Sequence, residues 1–357
     1  MDREIEIAIK KLVSMYGELE TKLLIEIAEN FNYNESFTNA DYWRLDKLNK
    51  LGALNKKTIQ YLSQITEKTP KEIMKAMKKI GYMSFDENTL NKAFDKGLIS
   101  VNPEDLNTRF IDRAILDSYN SLTDTFITIS ERVKEGVRKT YLDIVDKAYI
   151  EISGGISYQT SIRNAIDELS NKGIKTVSYV TDKGIRNYNI EGVVRREVLT
   201  ATRQLNSRVA MESIQELGVK RILLSEHLDC RPTHYDWQGT IINVEDIVEI
   251  TGYGEVTGLG GINCRHYFKP YFGDKENDDL KKYSKEECME AYKISQKQRY
   301  LERGIRKWKN SKEMFKANED KEMSKYANKK VKVWSDRLDT FTKENNRNRD
   351  FTREYIS

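Results

Sequence analysis

The sequence predicts a predominantly helical α+β protein, and two observations support this. Of the 19 glycines, five lie in residues 1–150, 13 in residues 151–274 and one in residues 275–357. Because glycine serves turns and weakens helix interiors, this predicts two helical outer segments around a turn-rich middle. Apolar residues recur every three or four positions in the two outer segments and form short β-branched runs in the middle segment. We therefore expect a helical N-terminal region (1–150), a small α/β core (151–274) and a C-terminal helical hairpin or coiled coil (275–357).

The N-terminal region carries helical patterns only. One apolar stripe contains Ile5, Ile9, Leu12, Tyr16, Leu19, Leu23 and Ile27. Further helices are predicted over Asp41–Leu51, from Thr69-Pro70 onward with threonine as cap, and from about Leu106, after Asn102-Pro103, to Ile152. Because this region has no histidine or cysteine, we expect it to serve packing and contacts with partners.

The middle segment alternates helices and strands. The predicted elements are a helix capped by Ser157 and ending at Gly173, strands over 174–181 and 185–190, a helix over Val193–Leu217 and a strand over Arg221–Leu224. In the C-terminal segment, Ser284 and Glu287 have the spacing of a capping box. Two apolar stripes separated by a break at 317–320 predict the helical hairpin.

Composition excludes several classes of protein. The 357 residues include 60 Lys and Arg and 56 Asp and Glu, a net charge of +4, so the chain as a whole is not a basic nucleic-acid coat. No apolar run approaches the roughly 20 residues of a membrane-spanning helix, and the N-terminus lacks the apolar core of a secretory signal. Three cysteines are too few for a disulfide framework, which favours folding in a reducing cytoplasm.

Histidine and cysteine are concentrated in one 40-residue window. It holds all three histidines and two of the three cysteines, namely His227, Cys230, His234, Cys264 and His266. Zinc prefers imidazole and thiolate ligands in a tetrahedron, and small zinc sites are commonly built from two short clusters separated by a loop. The spacing is not that of a standard zinc finger. Two other interpretations stay open: hydrogen-bonded side chains that fix loops, and catalysis.

Catalysis would need a nucleophile and a base within reach of each other. Cys264 with His234 or His266 is a candidate thiol pair. Alternatively, a metal with an open position would activate water, with a carboxylate from Glu226, Asp229 or Asp236 as general base. The sharpest enzyme alternative is a histidine-metal nuclease of the HNH type, although the order of the residues does not match that motif.

A glycine-rich string also lies within this window. The string Gly252-Tyr-Gly254-Glu-Val-Thr-Gly258-Leu-Gly260-Gly261 lacks the strand and helix that flank a dinucleotide-binding loop. We expect instead a loop with positive φ angles that approaches the His/Cys window closely.

The C-terminal segment is the basic part of the chain. Residues 275–357 hold 23 Lys and Arg and 16 Asp and Glu, or +7, so the other residues sum to −3. Within Lys297–Lys312, seven basic residues interleave with Tyr300 and Trp308. The run is typical either of a surface that follows a nucleic-acid backbone, through Arg299, Arg303, Arg306 and Lys307, or of a solvated helix face whose basic stems cover apolar surface.

The His/Cys window also carries a family resemblance. The runs Ser225-Glu-His-Leu-Asp-Cys-Arg-Pro-Thr-His-Tyr-Asp-Trp-Gln-Gly239 and Gly258-Leu-Gly-Gly-Ile-Asn-Cys-Arg-His266, with Pro270, resemble the tailed-phage minor capsid protein 2 family, which is related to the phage Mu head protein F group. Ser295–Lys307, Gly173–Tyr179 and the helix with Arg195-Arg196 are also similar. The resemblance covers about 150–357, and over 1–150 it rests on helical character.

The resemblance implies a structural protein of the virion, not an enzyme. It implies a low-copy head protein at the portal vertex, present in multiple copies around the portal, with roles in head assembly and genome delivery. The implied partners are the portal protein, other head or connector proteins and packaged DNA, after synthesis in the bacterial cytoplasm. It also implies His227, His234, Cys264 and His266 as the better set of zinc ligands, with Cys230 as an alternative.

Overall fold

The computed structural model describes residues 3–37, 39–84, 87–102, 109–174, 177–181, 184–273 and 282–356. The helices are α1 (Arg3–Glu29), α2 (Ala40–Ser84), α3 (Glu87–Asp95), α4 (Arg109–Ser153), α5 (Tyr158–Lys172), α6 (Ile190–Glu216), α7 (Ile247–Thr251), α8 (Lys285–Ala317) and α9 (Lys321–Glu344). The strands are β1 (Val177–Thr181), β2 (Gly184–Tyr188), β3 (Arg221–Leu224), β4 (Ile241–Asn243) and β5 (Phe268–Pro270). Helix covers 73% of the chain, which confirms the predominantly helical α+β prediction.

Several predicted boundaries are confirmed by the contacts that fix them. The Ser157 hydroxyl accepts a hydrogen bond from Thr160 N at the start of α5, and Gly173 ends the helix with a positive φ of 63°. Ser284 and Glu287 cap each other's backbone N–H at the start of α8, with bonds of 2.7 and 3.1 Å. β3 occupies the predicted residues. β1 and β2 pair antiparallel where two strands were predicted, but β2 ends at Tyr188 and not at 190, because α6 already begins at Ile190, three residues before its predicted start.

The prediction of a helix start at Thr69-Pro70 is wrong, because α2 continues through Pro70. The Thr69 hydroxyl does not cap a new helix but donates to the carbonyl of Ile65, one turn earlier, at 2.8 Å. Leu62, Ile73 and Met77 are all buried, so packing on both sides of the proline sustains the helix despite one lost backbone hydrogen bond. The predicted helix start after Pro103, near Leu106, lies outside the described residues, and α4 then runs unbroken to Ser153.

The chain forms two compact units, each assembled from separate segments. Unit 1 consists of Met1–Ile9, Pro70–Asp124 and Arg195–Gln296, and unit 2 of Lys10–Thr69, Thr125–Val194 and Lys297–Ser357. Each of the three segments distinguished in the sequence therefore contributes to both units. None of the helices in the described part of the chain combines the length and apolar character needed to cross a bilayer.

Unit 1 contains a three-stranded antiparallel sheet in the order β4-β3-β5. The central strand pairs Ile222 with Ile242 on one side and Leu224 with Phe268 on the other. These residues join α6 and the following loops in one apolar core, whose buried members are Ala210, Ile214, Ile222, Leu224, Trp237, Ile242, Ile247, Leu259, Cys264 and Phe268. Cys264 thus belongs to a packed core and not to a surface loop.

Unit 2 contains the hairpin made by α9 and the part of α8 from Lys297 onward. Leu301 and Ile305 of α8 pack against Leu338 of α9. Gly304, the single glycine of residues 275–357, lies directly under the Trp334 ring, where an added Cβ would overlap the ring atoms. The one glycine of this segment therefore marks the close approach of two helices, which confirms the predicted hairpin.

Candidate metal centre

The sheet of unit 1 brings the two halves of the His/Cys window together. β3 and β5 are antiparallel neighbours with Leu224 opposite Phe268, so the chain that leaves β3 and the chain that enters β5 meet at the same edge. Beyond this pair, Ser225 N donates to the carbonyl of Tyr267 at 2.9 Å. His266 therefore lies beside the segment that begins with Ser225, although about forty residues separate them in the sequence.

A short 3₁₀ turn orients the second histidine. The turn spans Pro232–His234, with proline at its first position and a hydrogen bond of 2.9 Å from His234 N to the carbonyl of Arg231. One turn later, Trp237 stacks its ring 4.7 Å from the rings of both His234 and His266. The turn and the tryptophan hold the His234 imidazole inside the core, where it is 2% exposed.

Three side-chain atoms converge at this point. His234 Nδ1 lies 3.3 Å from His266 Nδ1, and Cys264 Sγ lies 3.9 and 3.7 Å from the two nitrogens, respectively. All three residues are buried. In the part of the chain that the structure describes, this is the one group of three His, Cys or acidic side chains whose ligand atoms come together in this way.

The opposite nitrogens of the two rings are held by acceptors. His234 Nε2 lies 2.8 Å from the carbonyl oxygen of Thr257, and His266 Nε2 lies 3.0 Å from Gln238 Oε1. The same Gln238 oxygen accepts from the backbone N–H of His227, which fixes the orientation of the amide. Since a carbonyl oxygen only accepts, each Nε2 carries the proton, and each Nδ1 of the neutral rings presents a lone pair to the centre.

Burial keeps these imidazoles neutral. It lowers the pKa of His266 to about 2, with further contributions from His227, His234 and Arg265, and it lowers the pKa of His234 as well. The buried guanidinium of Arg203 lies within electrostatic range of Cys264. The centre thus combines two neutral imidazoles, the form in which histidine binds a metal, with a cysteine beside a cation.

The glycine-rich loop closes over the centre, as predicted. Gly252, Gly254 and Gly260 have φ angles of 61°, 89° and 75°, and a Cβ at Gly258 would overlap the carbonyl of Gly252. This compact path carries the Thr257 carbonyl to His234. The glycines therefore serve close packing next to the centre.

The other two predicted ligands lie beside the group but point elsewhere. His227 packs its ring 4.8 Å from His266, while its Nε2 lies 3.0 Å from the carbonyl of Arg265. Cys230 is buried against Cys288, and burial together with that thiol raises the pKa of Cys230 to about 12. Neither side chain joins the convergent group.

The candidate general bases have structural contacts of their own. Glu226 accepts hydrogen bonds from the backbone N–H groups of Lys282 and Tyr283, at 2.9 and 3.2 Å. Asp229 forms an ion pair with Arg265. Asp236 has an 80% exposed side chain 3.9 Å from Lys285. None of the three carboxylates belongs to the convergent group.

The comparisons with known proteins agree on one class. A profile of the family described as phage minor capsid protein 2 matches residues 1–343. The chain belongs to this family. A structural protein of Lactococcus phage LL-H is 26% identical over 339 residues, covering 88% of this chain and 87% of that protein. A structural protein of Lactococcus phage mv4 is 43% identical over 61 residues, 17% of this chain and 50% of that protein. No solved structure matches.

Family membership confirms the resemblance identified from the sequence and makes this chain a phage structural protein. The basic residues suggested for nucleic-acid binding do not converge on one point, and two of them lie beside acids. Arg306 forms an ion pair with Glu191, and Lys307 lies 3.8 Å from Asp167 and over the Trp308 ring. Arg299 is half-buried and Arg303 exposed on the same helix.

Sequence reasoning missed the groups that orient the two imidazoles. Gln238 is fully buried and lies one helical turn after His234, whose carbonyl accepts from Gln238 N at 3.1 Å. The signal was a polar residue four positions after a candidate ligand and next to Trp237. The Thr257 carbonyl could not be recognised in the sequence, because every residue carries a backbone carbonyl.

Proposed function

We propose that this minor capsid protein is a low-copy component at the portal vertex of the phage head, where several copies bind the portal protein and act in head assembly and genome delivery. Membership in the family supports the location in the virion. The helices of unit 2 support the contact function, because their solvent-facing surface carries large apolar side chains.

These apolar side chains lie where α2 and α4 run side by side. The Tyr149 hydroxyl of α4 donates to Asp41 of α2 at 2.7 Å, and Arg44 pairs with Asp146 at 2.8 Å, so the start of α2 is antiparallel to the end of α4. On this helix pair Tyr42 is 72%, Leu45 55% and Ile150 69% exposed. Clusters of exposed apolar side chains mark contact sites between proteins, and this is the observation that supports the portal-binding proposal.

The proposal is tested first on purified virions. We expect the protein in the particle at a copy number near that of the portal protein and far below that of the major capsid protein, measured by quantitative mass spectrometry. Absence from virions, or a copy number that equals the major capsid protein, would contradict it.

The contact surface is tested by charge substitution. We expect Leu45→Glu and Ile150→Glu to reduce co-purification with the portal protein and the yield of filled heads. Glu135→Lys is the matched control, because it changes charge on α4 at a side chain that is 65% exposed. Equal behaviour of the three variants would remove this surface from the proposal.

A further inference from the structure

We infer that His234, Cys264 and His266 form a zinc site, in which Nδ1 of each imidazole and the Cys264 thiolate are the three protein ligands. This proposal concerns unit 1 alone and does not depend on binding to the portal. It rests on four arguments: the separations of the three atoms, the two imidazole lone pairs that face each other, the outer contacts of the imidazoles, and the chemistry of the donor set.

The separations are those of a ligand triangle around zinc. Zinc binds nitrogen at about 2.0–2.1 Å and thiolate sulfur at about 2.3 Å in a tetrahedron, which places two nitrogens about 3.3 Å apart and each nitrogen about 3.6 Å from the sulfur. The observed separations are 3.3 Å between the two Nδ1 atoms and 3.7 and 3.9 Å to Cys264 Sγ. Small movements of one side chain would complete the geometry.

Within the group, the Cys264 S–H is the one donor near the two Nδ1 lone pairs, at Sγ–Nδ1 distances of 3.7 and 3.9 Å. Because both Nε2 atoms donate to oxygen acceptors, the two Nδ1 atoms face each other as acceptors. Two acceptors at 3.3 Å in a buried site are unfavourable unless something positive lies between them. A single thiol proton can satisfy only one of the two nitrogens, whereas a metal ion bound by the thiolate would satisfy both.

The outer contacts are also those of a metal site. A ligating histidine usually donates its second ring N–H to a carbonyl or carboxylate, which fixes its orientation. Thr257 and Gln238 supply these acceptors. The aromatic ring of Trp237 packs against both imidazoles, so the ligands cannot turn away without breaking the core.

The donor set favours a transition metal such as zinc over calcium and magnesium. Calcium and magnesium take oxygen ligands, whereas two imidazoles and one thiolate suit zinc. Among the described residues no fourth His, Cys or carboxylate atom converges with these three, so the fourth position is left to water or another exchangeable ligand.

The first experiment uses the full-length wild-type protein. After purification and dialysis we expect about one zinc per chain by elemental analysis. X-ray absorption at the zinc edge should show one sulfur at about 2.3 Å and nitrogen or oxygen neighbours at about 2.0–2.1 Å. A protein that is folded by circular dichroism, contains no metal and fails to take up added Zn²⁺ or Co²⁺ would overturn the proposal.

The second experiment assigns the ligands. We expect Cys264→Ser to abolish the thiolate-to-metal charge-transfer band of the Co²⁺-loaded protein and His234→Ala to reduce its metal content. Cys230→Ser and His227→Gln are matched controls of the same residue types in the same window, and both should keep the band and the stoichiometry. Loss of metal in either control, with retention in Cys264→Ser, would refute the assignment even if one variant folds poorly.

Discussion

Two buried polar clusters of this protein differ in the groups that surround their polar atoms. In unit 2, one oxygen of the buried Glu20 carboxyl accepts from the backbone N–H of Glu191 and the other has no hydrogen-bond partner among the described residues, while Glu191 pairs with Arg306. In unit 1, His234, Cys264 and His266 bring three potential ligand atoms together, and the Cys264 thiol is the one donor of the group for two imidazole acceptors. The first cluster combines a buried acid with an ion pair of the chain itself, whereas the second has the donor set of a metal site.

The comparison also separates two sequence features of similar density. The basic run from Lys297 to Lys312 and the His/Cys window both stand out by composition. In the structure, members of the basic run meet acids or carbonyls: Arg306 meets Glu191, and the Lys309 amine donates to the carbonyl of Glu354 at 2.8 Å. Composition alone could not distinguish the two, because the partners come from distant parts of the chain.

Metal removal should give the largest effect and should act on one cluster only. With free zinc at about 1,000 times Kd, binding adds about 4 kcal/mol to the free energy of unfolding, and a chelator removes this contribution. We expect hydrogen exchange of residues 225–270 to accelerate in the chelator while that of α9 stays unchanged. If both accelerate equally, or neither does, the two clusters do not differ as described.

The pH dependence of Glu20 tests the unit 2 cluster. Burial raises the pKa of Glu20 from 4.5 to about 7 against the lowering effect of the hydrogen bond from Glu191 N–H; the Glu191 charge also raises this pKa and Arg306 lowers it. Because the folded state binds this proton more tightly than the unfolded state, stability from Glu20 is fully present below about pH 4.5 and is lost as pH rises through about 7. At about 1.4 kcal/mol per pKa unit, the loss is about 3 kcal/mol.

The measurement is urea unfolding of the wild type and Glu20→Gln between pH 4.5 and 8. We expect the variant to gain relative stability as pH rises, since an amide does not ionise. The exposed Glu131→Gln is the control and should follow the wild type. A constant difference between wild type and Glu20→Gln over this range would show that the carboxyl does not titrate there.

Removing Arg306 should cost somewhat less. Arg306→Gln leaves Glu191 without its ion-pair partner, and breaking a buried pair costs about 3–5 kcal/mol. The two side chains are 21% and 18% exposed, so solvent reduces the expected cost to about 2 kcal/mol. Denaturant unfolding should show this loss and its partial recovery in Arg306→Gln/Glu191→Gln. If the free energy of unfolding does not fall in Arg306→Gln, Arg306 does not stabilise the Glu20 cluster.

How much the sequence could predict depends on the range of the interactions. β3 and the capping box of α8 were predictable, because an apolar run and a Ser-x-x-Glu spacing act locally. The continuation of α2 through Pro70 was not, because packing by distant residues outweighs the local cost of proline. Within the His/Cys window, the residue types indicated a metal centre, yet the choice between His227 and His266 as convergent partners is made by the register of β3 and β5.

Neutralising Arg299 and Arg303, which do not pair with Glu191, should change the free energy of unfolding least. Arg303 is exposed and Arg299 half-buried on α8, and surface substitutions usually change the free energy of unfolding by about 0.5 kcal/mol or less. We expect Arg299→Gln/Arg303→Gln to unfold like the wild type, in contrast to Arg306→Gln.

The same double variant tests packaged DNA as a partner. Each phosphate contact contributes about 0.9 to the slope of log affinity against log salt, so a DNA-binding face would lose about 2 in slope. We expect no such change, because Arg306, Lys307 and Lys312 of the same run lie beside acids of unit 2. A slope that falls in the double variant but not in Arg306→Gln would make this helix face a DNA contact and not only a solvated surface.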